Sequence, residues 1–201
     1  GQNLQYLKKG TASAESTTLS FWVKSTKTGT FIAELFDLDN TRQISKSYTV
    51  SVSDTWEKKT ITFAGDTTGV LDNDNQDSLS INFWLGAGTD YTSGTLATSW
   101  ESTVTANRAV GQVNIADSTS NNFFLTGVQL EAGTTASDFE FLPVDVNLAR
   151  CMRYYQKSYE IDDAPGTATS TGTVGSSGNT STATTTSQII ETVSLLKPMR
   201  A

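Results

Sequence analysis

The chain contains no histidine. That removes the usual general base near neutral pH, the Ser-His-Asp triad and most zinc sites. A single cysteine, Cys151, excludes an internal disulfide. It stands beside Met152 and among apolar residues, so it reads as a buried, inert thiol. There is no apolar run long enough to span a bilayer and no secretory-signal pattern. Cations are short, with 14 Lys and Arg against 21 Asp and Glu, for a net charge of -7 and a pI of about 4.5. This balance argues against nucleic acid as a partner and against a polybasic membrane patch. It fits a soluble, self-repelling surface. Amphipathic-helix patterning is almost absent as well.

What is present is alternation. The 201 residues suffice for one large β domain, or one domain and part of another. In TLSFWVKST, Leu19, Phe21 and Val23 alternate with Ser20, Trp22 and Lys24. Lys27-Thr28-Gly29 is a short turn, and TFIAELFDLD then predicts the returning strand of a hairpin. In RQISKSYTVSV, Ile44, Tyr48, Val50 and Val52 face one way, with Lys46 intruding, and the serines and Thr49 face the other. TWEKKTITF is a further strand, with Trp56 at its start reading as core-edge packing. SLSINFWLGAG sets Leu79, Ile81, Phe83 and Leu85 inward and Ser80, Asn82 and Trp84 outward. FFLTGVQLE closes the set, with Phe124, Thr126, Val128 and Leu130 on one face. Seven to nine short antiparallel strands predict an all-β sandwich of two sheets. Alternation alone does not separate jelly-roll from immunoglobulin topology.

Residues 86–122 are Gly/Ser/Thr-rich with little periodicity. Tyr91, Leu96, Trp100, Val104, Val110, Val113 and Ile115 are apolar anchors, so an ordered, packed segment is expected. VNLARCMRYY begins as a short helix, Leu148 and Met152 being four apart. Beyond Tyr159 comes a Thr/Ser/Gly tract, and QIIETVSLL is an apolar strand in want of a partner. The expected division is 1–143 for the sandwich and 144–201 for a smaller, incomplete β unit.

Flat aromatic rings on polar strand faces or loops stack on the apolar faces of sugars. Trp22 and Trp84 on strands, and Tyr91, Trp100 and Arg108 in the long segment, are therefore glycan-binding candidates. The competing reading makes Trp22 and Trp84 a secondary core, Tyr91 and Trp100 loop anchors, and Arg108 a partner of Glu101 or a carbonyl. LDNDNQD groups Asp72, Asp74 and Asp77 as an oxygen-rich calcium candidate, without EF-hand spacing. The competing reading is a solvated acidic loop. Glu34, Asp37, Glu57, Glu101 and Glu131 offer carboxylates, but no spacing singles out a hydrolytic pair, so no enzyme activity and no catalytic residue is expected.

GVQLEAG followed by FEFLP and LARCMRYYQKSY resembles the closing segment of a family of phage virion proteins, mostly tail-fibre-like. LSFWVKSTKTGTFIAELFDLDNTRQISKSY, TWEKKTITFAGDTTG and SGTLATSWESTVTANRAVGQVNIADST extend the resemblance over most of residues 1–160. It implies a jelly-roll module similar to carbohydrate-binding modules, on an external virion appendage made in the host cytoplasm. Host-surface glycans, other virion proteins and a homo-oligomer, most simply a trimer, are the implied partners. Structural calcium is frequent in such jelly rolls and is the one cofactor the resemblance allows. A purely structural fibre, collar or capsid-decoration role is the alternative, and a glycan-degrading tailspike fragment is a third.

Overall fold

A computed structural model describes residues 1–152, together with Tyr155 and Ala164. The chain divides into two units, Gly1–Glu140 and Phe141–Ala201. The expected Thr/Ser/Gly tract and the QIIETVSLL strand lie outside the described residues. In the second unit, α2 (Val144–Cys151) forms where the Leu148/Met152 spacing predicted a short helix, with Asp145 in its first turn and Arg150 in its last. Cys151 is exposed, not buried, because α2 has no buried residue. Among the described residues no helix is long and apolar enough to cross a membrane.

The first unit is an all-β sandwich of two antiparallel sheets. Its strands are β1 (Thr17–Ser25), β2 (Gly29–Asp37), β3 (Arg42–Val50), β4 (Glu57–Phe63), β5 (Leu79–Trp84), β6 (Glu101–Ser102) and β7 (Phe123–Ala132). The three-stranded sheet runs β4-β1-β7 and the four-stranded sheet β5-β2-β3-β6. Alternation builds the core. Leu19, Phe21 and Val23 of β1 meet Phe31, Ala33 and Leu35 of β2 and Ile44, Tyr48 and Val50 of β3, all buried. Aromatic contacts join the sheets: Phe21 lies edge-on to Tyr48 and to Phe83 at 5.0 Å, and Phe31 lies 5.5 Å from Phe123. Leu79, Ile81, Phe83 and Leu85 pack on this core as their alternation requires.

Two local expectations fail. β1 and β2 are not a hairpin: β1 pairs with β4 and β7, and β2 pairs with β3 and β5. The Lys27-Thr28-Gly29 turn carries the chain across the sandwich instead. Both strands have one wholly apolar face, so stacking them buries more than pairing them would. The hairpin is β2–β3, closed by a tight loop in which the Asn40 N–H donates to the Asp37 carboxylate at 2.9 Å and Thr41 takes φ 52°. The second failure is in β7. Its register against β1 shifts between the Ser20 and Trp22 pairs, so β7 carries one extra residue opposite Phe21. Gly127 sits there at φ 58°, the left-handed conformation of a glycine bulge. The bulge inverts the alternation. Phe124 and Thr126 face out while Leu130 faces in, and Val128 is 38% exposed, not buried.

The segment after β5 is ordered and packs on the outer face of the four-stranded sheet. It contains α1 (Thr89–Thr92), β6 and two short 3-10 turns. It continues the sheet's hydrogen bonding, with Ser45 N–H to the Ala97 carbonyl at 2.7 Å, Val113 N–H to Thr30 at 2.8 Å and Ile115 N–H to Leu85 at 2.7 Å. Residues that alternation turns outward, Ile32, Glu34, Gln43 and Ser45, are consequently buried. A shorter strap, residues 133–140, crosses one end of the other sheet's outer face. Thr18 Oγ1 donates to the Gly133 carbonyl at 2.8 Å, Ser137 Oγ to the Glu131 carboxylate at 2.6 Å, and Glu140 N–H to Gln129 Oε1 at 3.0 Å.

Candidate functional site

The five glycan candidates separate into three places. Trp84, Tyr91 and Arg108 come together beneath the long segment. Glu34, central in β2, is fully buried there and accepts four N–H bonds. Two come from Arg108, Nε at 2.7 Å and Nη2 at 2.8 Å, one from Asn82 at 3.0 Å and one from the Trp84 indole at 3.1 Å. The guanidinium stacks near Phe36, Trp84 and Tyr91, its carbon 4.6, 5.1 and 6.0 Å from their rings. The Glu34 hydrogen bonds outweigh burial and raise the Arg108 pKa, so the guanidinium stays charged. Arg108 thus pairs with Glu34, and not with Glu101 as the sequence suggested. Glu101 instead accepts from Gln43 and Asn107. This cluster staples the long segment to the sheet, and its aromatic faces are occupied.

Trp100 is elsewhere. Its indole N–H donates to the Ala64 carbonyl at 2.7 Å, its ring packs on the core, and Lys9 Nζ lies 4.3 Å from its centroid. Lys9 belongs to a buried ionic cluster that pattern reading missed. Its ammonium meets Asp37 at 2.7 Å and Asp66 at 2.9 Å, and Arg42 Nε meets Asp66 at 2.7 Å. Two cations offset two carboxylates, so burial leaves no net charge. Burial pushes the Asp66 carboxyl up, but hydrogen bonds from Arg42, Lys9 and the Thr68 amide prevail and hold it at about 2. Gly69 is required beside this cluster, because a Cβ there would stand 2.8 Å from the Asp37 carboxylate and 2.9 Å from that of Asp66.

Trp22 remains on the open outer face of the three-stranded sheet. It is 41% exposed and lies directly between Lys58 of β4 and Thr126 of β7 in the register. Directly opposed residues share a face. The next register row carries Lys24 opposite Phe124, which is 47% exposed. Trp56, 43% exposed, occupies the position just before β4, one register step beyond the Val23–Glu57 pair and so level with Lys24. Trp56 is therefore not the core-edge residue its position at a strand start suggested. Lys24 Nζ stands 5.0 Å over the Phe124 ring and 2.9 Å from Asp54. Gly127 lets the face close up: a Cβ there would stand 3.3 Å from Trp22 Cδ1 and 3.8 Å from the Phe139 ring. The bulge thus seats Trp22 against β7 and turns Phe124 and Thr126 to its side.

The acidic loop is engaged mainly through its backbone. The Gln2 N–H donates to the Asp74 carbonyl at 2.9 Å, the Gln5 amide to the Asp72 carbonyl at 3.2 Å, and Asp74 Oδ1 caps the Gln76 N–H at 3.0 Å. Among the described residues, no three His, Cys, Asp or Glu side chains are grouped so as to hold a metal ion, and Asp72, Asp74 and Asp77 do not form such a group.

No family model matches the chain, and no curated protein or solved structure matches it.

Proposed function

We propose that this is a non-enzymatic sugar-binding module, of jelly-roll type, on a phage virion appendage, and that it contacts host-surface glycans through the outer face of the three-stranded sheet. The observation that carries the reading is the juxtaposition of Trp22, Trp56 and Phe124, all exposed, in two adjacent register rows with Lys24, Lys58 and Thr126 among them. Exposed aromatic rings separated by hydrogen-bonding side chains match the alternation of apolar faces and hydroxyls on an oligosaccharide. The virion setting rests on the resemblance of the closing segment and its upstream companions. A flat, open platform binds weakly, and a homo-oligomer such as a trimer would raise its avidity by repetition. Calcium, if bound at Asp72, Asp74 and Asp77, would serve structure and not the platform.

A purely structural virion role is the second reading. It is favoured by the engagement of Trp84, Trp100 and Arg108 in hydrogen bonds, packing and an ion pair within the fold. Glycan-array binding by wild type and Trp22→Ala separates the two. Loss of at least about tenfold in apparent affinity, equivalent to ~1.4 kcal/mol, with an unchanged melting temperature supports the module. Absence of glycan binding by the assembled wild-type protein supports the structural role.

A further inference from the structure

We infer that the preferred ligand of this face is an acidic saccharide, with its carboxylate paired to Lys58. The inference rests on the sugar-binding reading above and names the class of sugar. Most lysines among the described residues are spent on carboxylates. Among the seven described lysines, Lys8, Lys9, Lys24, Lys27 and Lys59 each pair with an Asp or Glu. Lys46 and Lys58 do not. Lys46 lies opposite Ala33, on the core side of its sheet. Lys58 is exposed, has no hydrogen-bond partner, and stands directly opposite Trp22.

Antiparallel partners on one face have Cβ atoms about 4.5–5.5 Å apart. A pyranose ring stacked on Trp22 therefore holds its substituents within reach of the Lys58 ammonium, whose four-carbon stem is free to adjust. The other charges near this face are already engaged. Asp54 neutralises Lys24. Glu131 is held by Ser137 and Gln129, with Lys58 only the weakest of the influences that lower its pKa. Glu57 binds Lys59 on the core side. The face thus presents, beside its central indole, one cation that makes no ion pair. A neutral sugar meets that cation only through a hydroxyl. A uronate or sialate carboxylate completes it with a charge-assisted hydrogen bond.

The test uses matched pairs of probes with the full chain: oligogalacturonate against its methyl ester, hyaluronan oligosaccharide against its carboxyl-reduced form, and sialyllactose against lactose. Calorimetric titration at low and high salt reads the affinity ratio within each pair. The expected result is an acidic-over-neutral preference of about fivefold or more for at least one pair, shrinking as salt screens the contact. Lys58→Gln should bring the affinity for the acidic member down to that for its neutral partner and so abolish the preference, whereas Trp22→Ala should weaken both members and keep the ratio between them. Equal affinity within every pair, or a preference that survives Lys58→Gln, overturns the inference while leaving the sugar-binding reading standing. Binding of none of the probes, together with a blank glycan array, overturns both.

Discussion

Replacing Arg108 with alanine should destabilise the sandwich by about 3–5 kcal/mol, the usual cost of stripping the partner from a buried charge. The structure fixes which partner matters more. Glu34 is wholly buried, whereas the Arg108 side chain retains 18% exposure. Without Arg108, the carboxylate keeps only the Asn82 and Trp84 donors. Without the carboxylate, the guanidinium can turn outward. Glu34→Gln should therefore cost less, about 1–3 kcal/mol, since the amide oxygen still accepts from Asn82 and Trp84. The double variant Glu34→Gln/Arg108→Met removes both charges and should recover most of the Arg108→Ala loss. Urea unfolding of these proteins, with Arg108→Met as the matching single variant, gives the cycle. Hydrogen exchange should show the amides of residues 86–122 losing protection first in Arg108→Ala. A loss below about 1 kcal/mol for Arg108→Ala, or a double variant no better than the single, would refute the claim that Arg108 and the buried Glu34 are coupled.

The Asp66 carboxyl, held at about 2 against an ordinary 3.8, contributes about 2 kcal/mol that is fully present above pH 3.8 and disappears as pH falls through 2. Stability measured from pH 5 to pH 2 should fall accordingly, and Asp66→Asn should flatten that window; a pH profile identical in wild type and Asp66→Asn would count against the ionic cluster. Trp100→Ala should lower stability by about 3 kcal/mol, the low end for a large-to-small change at a partly buried aromatic, without changing sugar affinity per folded molecule. Weaker binding at unchanged melting temperature would instead return Trp100 to the binding face.

Much of the sandwich was legible because β1, β3 and β5 each commit one face to apolar residues and the other to polar ones. Pairing was less so. Lys27-Thr28-Gly29 suits a hairpin and an inter-sheet crossing equally, and only the two apolar faces of β1 and β2 decide between them. The β7 faces were misassigned because one residue in a bulge reverses every later side chain. Gly127 inside the strand was the available signal. Of the site, Trp22 was readable as an aromatic on a polar face. Trp56 was not, since a strand start carries no face of its own, and Phe124 was lost to the bulge. Glu34 stood alone among apolar residues in FIAELF, a sign of a buried charge, but nothing local pointed to Arg108, 74 residues away. The Lys9, Asp37, Arg42 and Asp66 cluster is likewise assembled by the fold from separate segments.

The central claim is that bound sugar covers the outer face of the three-stranded sheet and no other aromatic cluster. Acrylamide quenching of the four indoles, resolved with single Trp→Phe variants and repeated with a saturating glycan ligand, tests it most directly. The account predicts that Trp22 and Trp56 are quenched in the free protein and shielded by the glycan, while Trp84 and Trp100 are little quenched and do not respond. Shielding confined to Trp84 or Trp100, or glycan binding that leaves Trp22 and Trp56 as accessible as before, would contradict it.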